Sequence, residues 1–312
     1  MKARVTVTLE ELIQLQADAR GFSFLPRQPV HSLLSGRHAS RLRGRGLAFE
    51  ELRHYAQGDD VRTIDWRATA RLRSPHVRVY SEERERPVLL LVDQRRPMFF
   101  GSQRTMKSVA AAEVAALAAW RTLSVGDRVG GIVFNEEEIV DLRPQRNQTS
   151  VLRLFHEIVR MNERLAGPEA SKKRISSETV TVNEVLEAAV RRAKHDHLVV
   201  IISDLDGANE ETQRLATRLA AHNDVLMVAV YDPLGASLQN QPGMIASTGE
   251  GVVELPVGTS FRGAFQQAFA DRLDQWRDIF QALQVPVIPI STATPPAEQL
   301  RELFGQKLSS IG

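Results

Sequence analysis

Three aspartates in this sequence stand where buried strands would hand them to a cation or a reaction. In PVLLLVDQRRPMFFG, residues 87–101, an apolar run from Val88 to Val92 leads straight into Asp93. In LVVIISDLDGANE, residues 198–210, a second run delivers Ser203, Asp204 and Asp206. Carboxylates at strand ends suit magnesium, which takes near-octahedral oxygen ligands. Yet Asp93 is followed by Arg95, Arg96 and Pro97, where hydroxyl ligands would be expected. A second candidate is KHDHL, in which His195 and His197 flank Asp196. That spacing supports metal ligation on a strand, but no third ligand is apparent, and a charged helix end before a strand accounts for it. No serine carries a nucleophile-elbow glycine pattern, and no Walker-type phosphate loop is present.

Composition narrows the chemistry further. The chain has 312 residues, is 43% hydrophobic, carries a formal charge of +2 and contains no cysteine. Disulfides, thiolate catalysis and cysteine-ligated zinc or iron–sulfur sites are thereby excluded. The start, MKARVTVTLEEL, is broken by charges before any apolar core develops, unlike a signal peptide. The longest apolar runs fall far short of the roughly 20 residues of a membrane-spanning helix. The expectation is a cytoplasmic protein without membrane insertion.

The elements that must position the aspartates follow from periodicity. Thr8-Leu9-Glu10-Glu11 reads as a capping box opening an amphipathic helix to about residue 20. Residues 21–86 are arginine-rich and predict a small irregular β element. From Pro87 the pattern alternates. Strands are expected at 88–93, 128–134, 138–142, 198–203, 225–231 and within VPVIPI. Helices are expected near 105–123, 149–162, 182–194, 210–222, 261–283 and 296–304, with a surface loop at 164–179 and a hairpin in GMIASTGEGVVELP. This is an α/β pattern: a doubly wound, mainly parallel sheet over 87–312, with residues 1–86 as a small N-terminal addition. In such sheets, sites lie beyond the carboxyl ends of the strands, where Asp93 and Asp204 both fall.

Two further readings come from local text. DLDG resembles the nucleophile motif of haloacid-dehalogenase-like phosphatases, which implies a metal-dependent phosphohydrolase using Asp204 and Asp206. Against that, Ala208 stands where the family has threonine, and several α/β units precede the motif. The arginines of 37–78, with Phe49, Tyr55 and Trp66 among them, make a nucleic-acid surface conceivable. Interleaved Glu50, Glu51, Asp59, Asp60 and Asp65 explain the same charges as intramolecular ion pairs.

The longest specific text runs from GRGLAFEELRHYAQGDDVRTIDWRATARL to RPVLLLVD. With Gly58-Asp59-Asp60, Arg62, Ile64-Asp65-Trp66, Ala70-Arg71, Glu83-Arg84, Gly101, Lys107, Gly126-Asp127-Arg128 and Ser203-Asp204, it closely resembles the bacterial domain of unknown function 58 family. The resemblance spans about residues 40–304 and implies a von Willebrand factor A-like domain. Such domains commonly hold a divalent cation with Asp-x-Ser-x-Ser, a threonine and a second aspartate. Here these positions map to Asp93, Arg95, Pro97, Thr181 and Asp204. The serines are gone, so no metal and no cofactor are expected. Either Arg95 or Arg96 replaces the cation by pairing with Asp93 and Asp204, or Arg95 points to solvent and the site is inert. The resemblance further implies a non-enzymatic adaptor working with a MoxR-type AAA+ ATPase, and with other von Willebrand factor A-like proteins, in chaperone-like maturation of complexes. No small-molecule substrate is expected. Candidate partner contacts are Asp59, Asp60, Arg62, Asp65, Trp66, Arg71, Arg95 and Arg96. For the acidic ones and Arg62, ion pairs pinning the N-terminal segment, such as Asp65 with Arg71, are the alternative.

Overall fold

The computed structural model describes residues 3–21, 47–82, 86–167, 179–234, 245–248, 251–254 and 285–305, together with positions 263, 264, 267, 271 and 274. Those five isolated positions lie in the expected 261–283 helix and are helical; the rest of that expectation, and most of the 164–179 loop, fall outside the described residues. In chain order the elements are α1 (Leu9–Gln14), β1 (Leu47–His54), α2 (Trp66–Leu72), β2 (His76–Glu82), β3 (Val88–Asp93), α3 (Lys107–Ser124), β4 (Val129–Phe134) and β5 (Ile139–Gln145). They continue with α4 (Gln148–Ala166), α5 (Val182–Arg192), β6 (Leu198–Ser203), α6 (Glu210–Ala220), β7 (Asp224–Tyr231), the hairpin β8 (Ile245–Thr248) and β9 (Gly251–Glu254), β10 (Val287–Ser291) and α7 (Pro296–Gly305).

Six strands form one sheet in the order β10-β7-β6-β3-β4-β5. All neighbours are parallel except β5, which pairs antiparallel with β4 through the Asn135–Glu138 turn. The core follows from the strand period of two. Val88, Leu90 and Val92 face a cluster that includes α3, α4 and α7, while Leu89 and Leu91 face a second cluster built with α5 and α6. Both faces of β3 are therefore covered, which is why its sequence is continuously apolar rather than alternating. Each such side chain, fully buried, contributes about 1.5–3 kcal/mol. Alanines along α3 keep that helix close against the sheet, and Trp120 seals its far end. The Trp120 indole N–H donates to the Leu12 carbonyl at 2.9 Å, and its ring meets Phe155 edge-on at 5.5 Å.

The chain divides into two compact units, residues 1–28 with 86–312, and residues 29–85. The sequence grouped the N-terminal helix with the arginine-rich segment; the structure packs it with the sheet, because α1 supplies Leu12 to the core against α3 and α4. In the smaller unit, β1 and β2 pair antiparallel with α2 between them in sequence. Asp65 caps α2 by accepting the Arg67 and Ala68 N–H groups at 3.0 and 3.1 Å.

Candidate functional site

Strand order reverses at β3: α3 leads from it to β4 on one side, and the later parallel strand β6 joins on the other. A cleft-forming switch point of a doubly wound sheet lies at the carboxyl ends of those strands. Asp93 from β3 and the Ser203-Asp204 pair from β6 are delivered there, all three essentially buried.

Asp93 is fully enclosed and accepts four hydrogen bonds. The chain leaves β3 through Gln94 and turns at Arg96–Met98, where Pro97 fits a short 3-10 turn. That turn folds Arg95 back along its own strand end. Its backbone N–H and Nε each donate to Asp93 Oδ1 at 3.0 Å, and Nη2 donates to Oδ2 at 2.7 Å. Ser203 Oγ supplies the fourth donor, to Oδ2 at 2.6 Å, while itself accepting the Leu205 N–H at 2.8 Å. Arg95 is only 7% exposed, with its guanidinium 5.5 Å from the centre of the Phe134 ring. Burial alone would depress its pKa; the Asp93 charge and hydrogen bonds, with Asp204 and Asp206 behind them, hold it above the ordinary arginine value. The fork is the arrangement that makes arginine the cation of choice for a buried carboxylate.

Asp204 has a separate partner. Lys107, the first residue of α3, donates its ammonium to Asp204 Oδ2, and the Asp206 N–H donates to Oδ1 at 3.0 Å. The loop that presents Asp204 is bent at Leu205, a buried leucine with φ +52°. A leucine in the left-handed region costs about 1–2 kcal/mol, which the Ser203 and Asp204 turn bonds offset. Glu136, in the β4–β5 turn, accepts the Arg96 N–H. Burial pushes its carboxyl above the ordinary glutamate range, the Arg96 N–H opposes that, and the Asp93 charge adds to the rise.

Of the residues expected at a cation site, Asp93, Arg95 and Asp204 converge: Arg95 forks onto Asp93, and the Asp204 charge also acts on it. The ammonium that meets Asp204 is Lys107. Arg96 contributes through its backbone to Glu136. Pro97 is half-buried in the turn. Thr181 is the N-cap of α5, its hydroxyl accepting the Glu184 N–H in a capping box. His195 is exposed and His197 half-buried; His195 faces Asp196 at 3.2 Å, and His197 Nδ1 lies 2.8 Å from the His195 carbonyl. Among the described residues no cluster of three or more histidine, aspartate or glutamate side chains could hold a metal ion.

Around this pair of charges a polar framework ties distant segments to the strand ends. The Val7 N–H donates to Asn162 Oδ1 at 3.0 Å, Asn162 donates to the Gln94 amide oxygen at 2.9 Å, and Gln94 donates to the Ser108 carbonyl at 3.0 Å. Asp232, buried at the end of β7, holds the loop before α3 by accepting the Ser102 N–H at 2.8 Å together with the hydroxyls of Ser102 and Thr292. In that loop a Cβ on Gly101 would stand 2.1 Å from the Thr105 carbonyl oxygen, so only glycine lets the loop close. Arg4 and Arg104 both donate to Glu113 of α3, compensating a carboxylate buried against the helix. Lys107, Gln94, Glu136 and Asp232 were not singled out as site residues by sequence. Lys107 was legible only as one of the residues carrying the family resemblance and by its place: a cation in the first turn of a helix works against the helix dipole unless a carboxylate meets it.

In the smaller unit, the acidic candidates serve local structure. Asp59 accepts a fork from Arg53 at 2.7 and 2.8 Å and the Ala56 N–H at 2.8 Å, while Asp60 caps a 3-10 turn through the Arg62 N–H at 2.9 Å. Asp65 pairs with Arg78, Nε to Oδ2 at 2.8 Å, rather than with Arg71. The Arg53 hydrogen bond holds Asp59 below the usual carboxylate range; for Asp65 the Ala68 N–H and then Arg78 do the same. Trp66, Arg62 and Arg71 are exposed.

Comparison with known proteins places this geometry in a lineage. The family described as protein of unknown function DUF58 matches residues 51–274. Uncharacterized proteins of Mycobacterium bovis and Mycobacterium tuberculosis are 27% identical to the chain over 282 residues, covering 89% of it and 85% of their own length.

Proposed function

The chain belongs to the family described as protein of unknown function DUF58, and from that premise we propose that it is a non-enzymatic, protein-binding adaptor. In this reading it works with a MoxR-type AAA+ ATPase in the chaperone-like maturation of protein complexes, in the cytoplasm. Among the described residues no helix is long and apolar enough to cross a membrane. The observation that carries the reading is the state of the strand-end carboxylates. A von Willebrand factor A-like domain would use Asp93 and Asp204 to hold a divalent cation, but here both oxygens of Asp93 are engaged by Arg95 and Ser203. Asp204 is met by Lys107 and the Asp206 N–H. Two fixed side-chain cations already neutralise the charges that a metal would balance, so these residues do not fit a bound metal.

The same pairing argues against the phosphohydrolase alternative, because the Lys107 ammonium and the Asp206 N–H draw electron density from the Asp204 carboxylate and the residues do not fit the metal that reaction uses. What remains is a rigid strand edge with its loops pinned by Asp232, Gln94 and Asn162, suited to presenting a surface. Titrating the purified chain with a purified MoxR-type ATPase tests the adaptor reading: saturable binding supports it, and no binding with or without nucleotide removes it. Magnesium-dependent turnover of a generic phosphate ester, abolished by Asp204→Asn, would replace it with the enzyme reading.

A further inference from the structure

We propose that the outward face of α2, formed by Trp66, Arg67, Ala70 and Arg71, is a docking surface for an acidic segment of a partner protein. This deepens the protein-binding reading above and rests on it. At 100° per residue these four positions fall within one arc of about 140°. Ala68 lies on the opposite side and is buried, and Thr69 faces β2, its hydroxyl accepting the His76 N–H at 3.1 Å. Trp66 is 69% exposed and offers a large apolar side chain of the type enriched at binding hot spots.

Charge specifies the occupant. Arg67 and Arg71 are four residues apart on a helix, where like charges repel, and among the described residues neither has an ion-pair partner. The three nearby aspartates cannot supply one. Asp59 is forked by Arg53, Asp60 caps the turn at Arg62, and Asp65 is divided between the α2 cap and Arg78. The repulsion is therefore relieved when a carboxylate-bearing segment arrives, with Trp66 packing against its apolar part.

Composition favours protein over nucleic acid. Residues 29–85 hold eleven arginines and no lysine. Arginine and tryptophan are enriched at protein interfaces where lysine is depleted, whereas phosphate backbones are bound by both cations.

The test is fluorescence anisotropy on the full chain with three labelled probes: a short glutamate-rich peptide with one central phenylalanine, a glycine–serine peptide of equal length, and an oligothymidylate. The expected result is binding of the acidic peptide at least about tenfold tighter than either other probe. Trp66→Ala and the double variant Arg67→Glu/Arg71→Glu should each weaken it about tenfold, with an unchanged thermal midpoint. Arg67→Lys/Arg71→Lys, which keeps the charge but loses the fork, should fall between. Equal binding of the neutral peptide, unchanged affinity in the variants, or tighter binding of oligothymidylate would overturn the proposal. Its failure is separable from that of the adaptor reading. Variants that bind the ATPase and the acidic peptide as the natural chain does remove the α2 face and leave the adaptor. A chain that selects the acidic peptide at this face but has no affinity for the ATPase does the reverse.

Discussion

Replacing Arg95 by methionine keeps much of the side chain's volume beneath Phe134 but removes the guanidinium from a carboxylate with no exposed surface. Breaking a buried ion pair by deleting one partner costs about 3–5 kcal/mol, because the remaining charge stays desolvated. Two of the four donors to Asp93 survive the change, the residue-95 backbone N–H and Ser203 Oγ. The loss should therefore fall at the lower end, about 3 kcal/mol. A chain of this size has a urea dependence near the top of the usual range, about 3 kcal/mol per molar, so the unfolding midpoint should drop by about 1 M. Removing the stranded charge as well, in Asp93→Asn/Arg95→Met, should recover at least about half of the loss, since replacing both partners is far less costly than replacing one. Equilibrium urea unfolding followed by far-ultraviolet circular dichroism measures both. If Arg95→Met lies within about 0.5 kcal/mol of the natural chain, the guanidinium is not clamped on Asp93 in solution, and the reasoning fails.

Three further outcomes follow from the same site. Lys107→Met should cost about 3 kcal/mol, and a double-mutant cycle with Asp204→Asn should give a coupling of at least about 1 kcal/mol; additive effects would separate the two charges. Glu136 has a folded pKa raised by burial, so its folded state favours the proton. Stability from this group is fully present below the ordinary glutamate value and is lost as pH rises through the folded one. Glu136→Gln should accordingly raise the thermal midpoint at neutral pH and lose that advantage in acid, and a pH-independent difference would contradict the burial argument. Asp232→Ala, which strands the Ser102 and Thr292 donors, should cost about 2–4 kcal/mol and speed amide exchange at Ser102 above that of the surrounding core; unchanged exchange there would detach Asp232 from the loop.

How much of this was legible in the sequence depended on the range of each interaction. Five apolar residues ending in an aspartate announce a buried parallel strand, so β3 and β6 could be placed within a residue of their ends. The switch-point rule then brought Asp93 and Asp204 together without any structure. Arg95 was legible as a candidate cation because it sits two residues from its carboxylate, and a tight turn suffices to close the pair. Lys107 was not, since its pairing with Asp204 spans 97 residues and depends on where α3 begins relative to β6. The same holds for Asp65. Both Arg71 and Arg78 are near in sequence, but β2 carries Arg78 back beside the start of α2, while Arg71 lies a turn and a half along the helix on the outward face.

The most direct test of the central claim is a calorimetric titration of magnesium and manganese into the chelator-treated natural chain, with Arg95→Ser/Pro97→Ser beside it as the variant that restores hydroxyls to the strand end. The account expects no binding by the natural chain at cation concentrations up to about 1 mM, well above the affinities of dedicated sites. A saturable isotherm in the natural chain, with a dissociation constant below about 0.1 mM, would mean that Arg95 and Lys107 yield to a metal, and would contradict it.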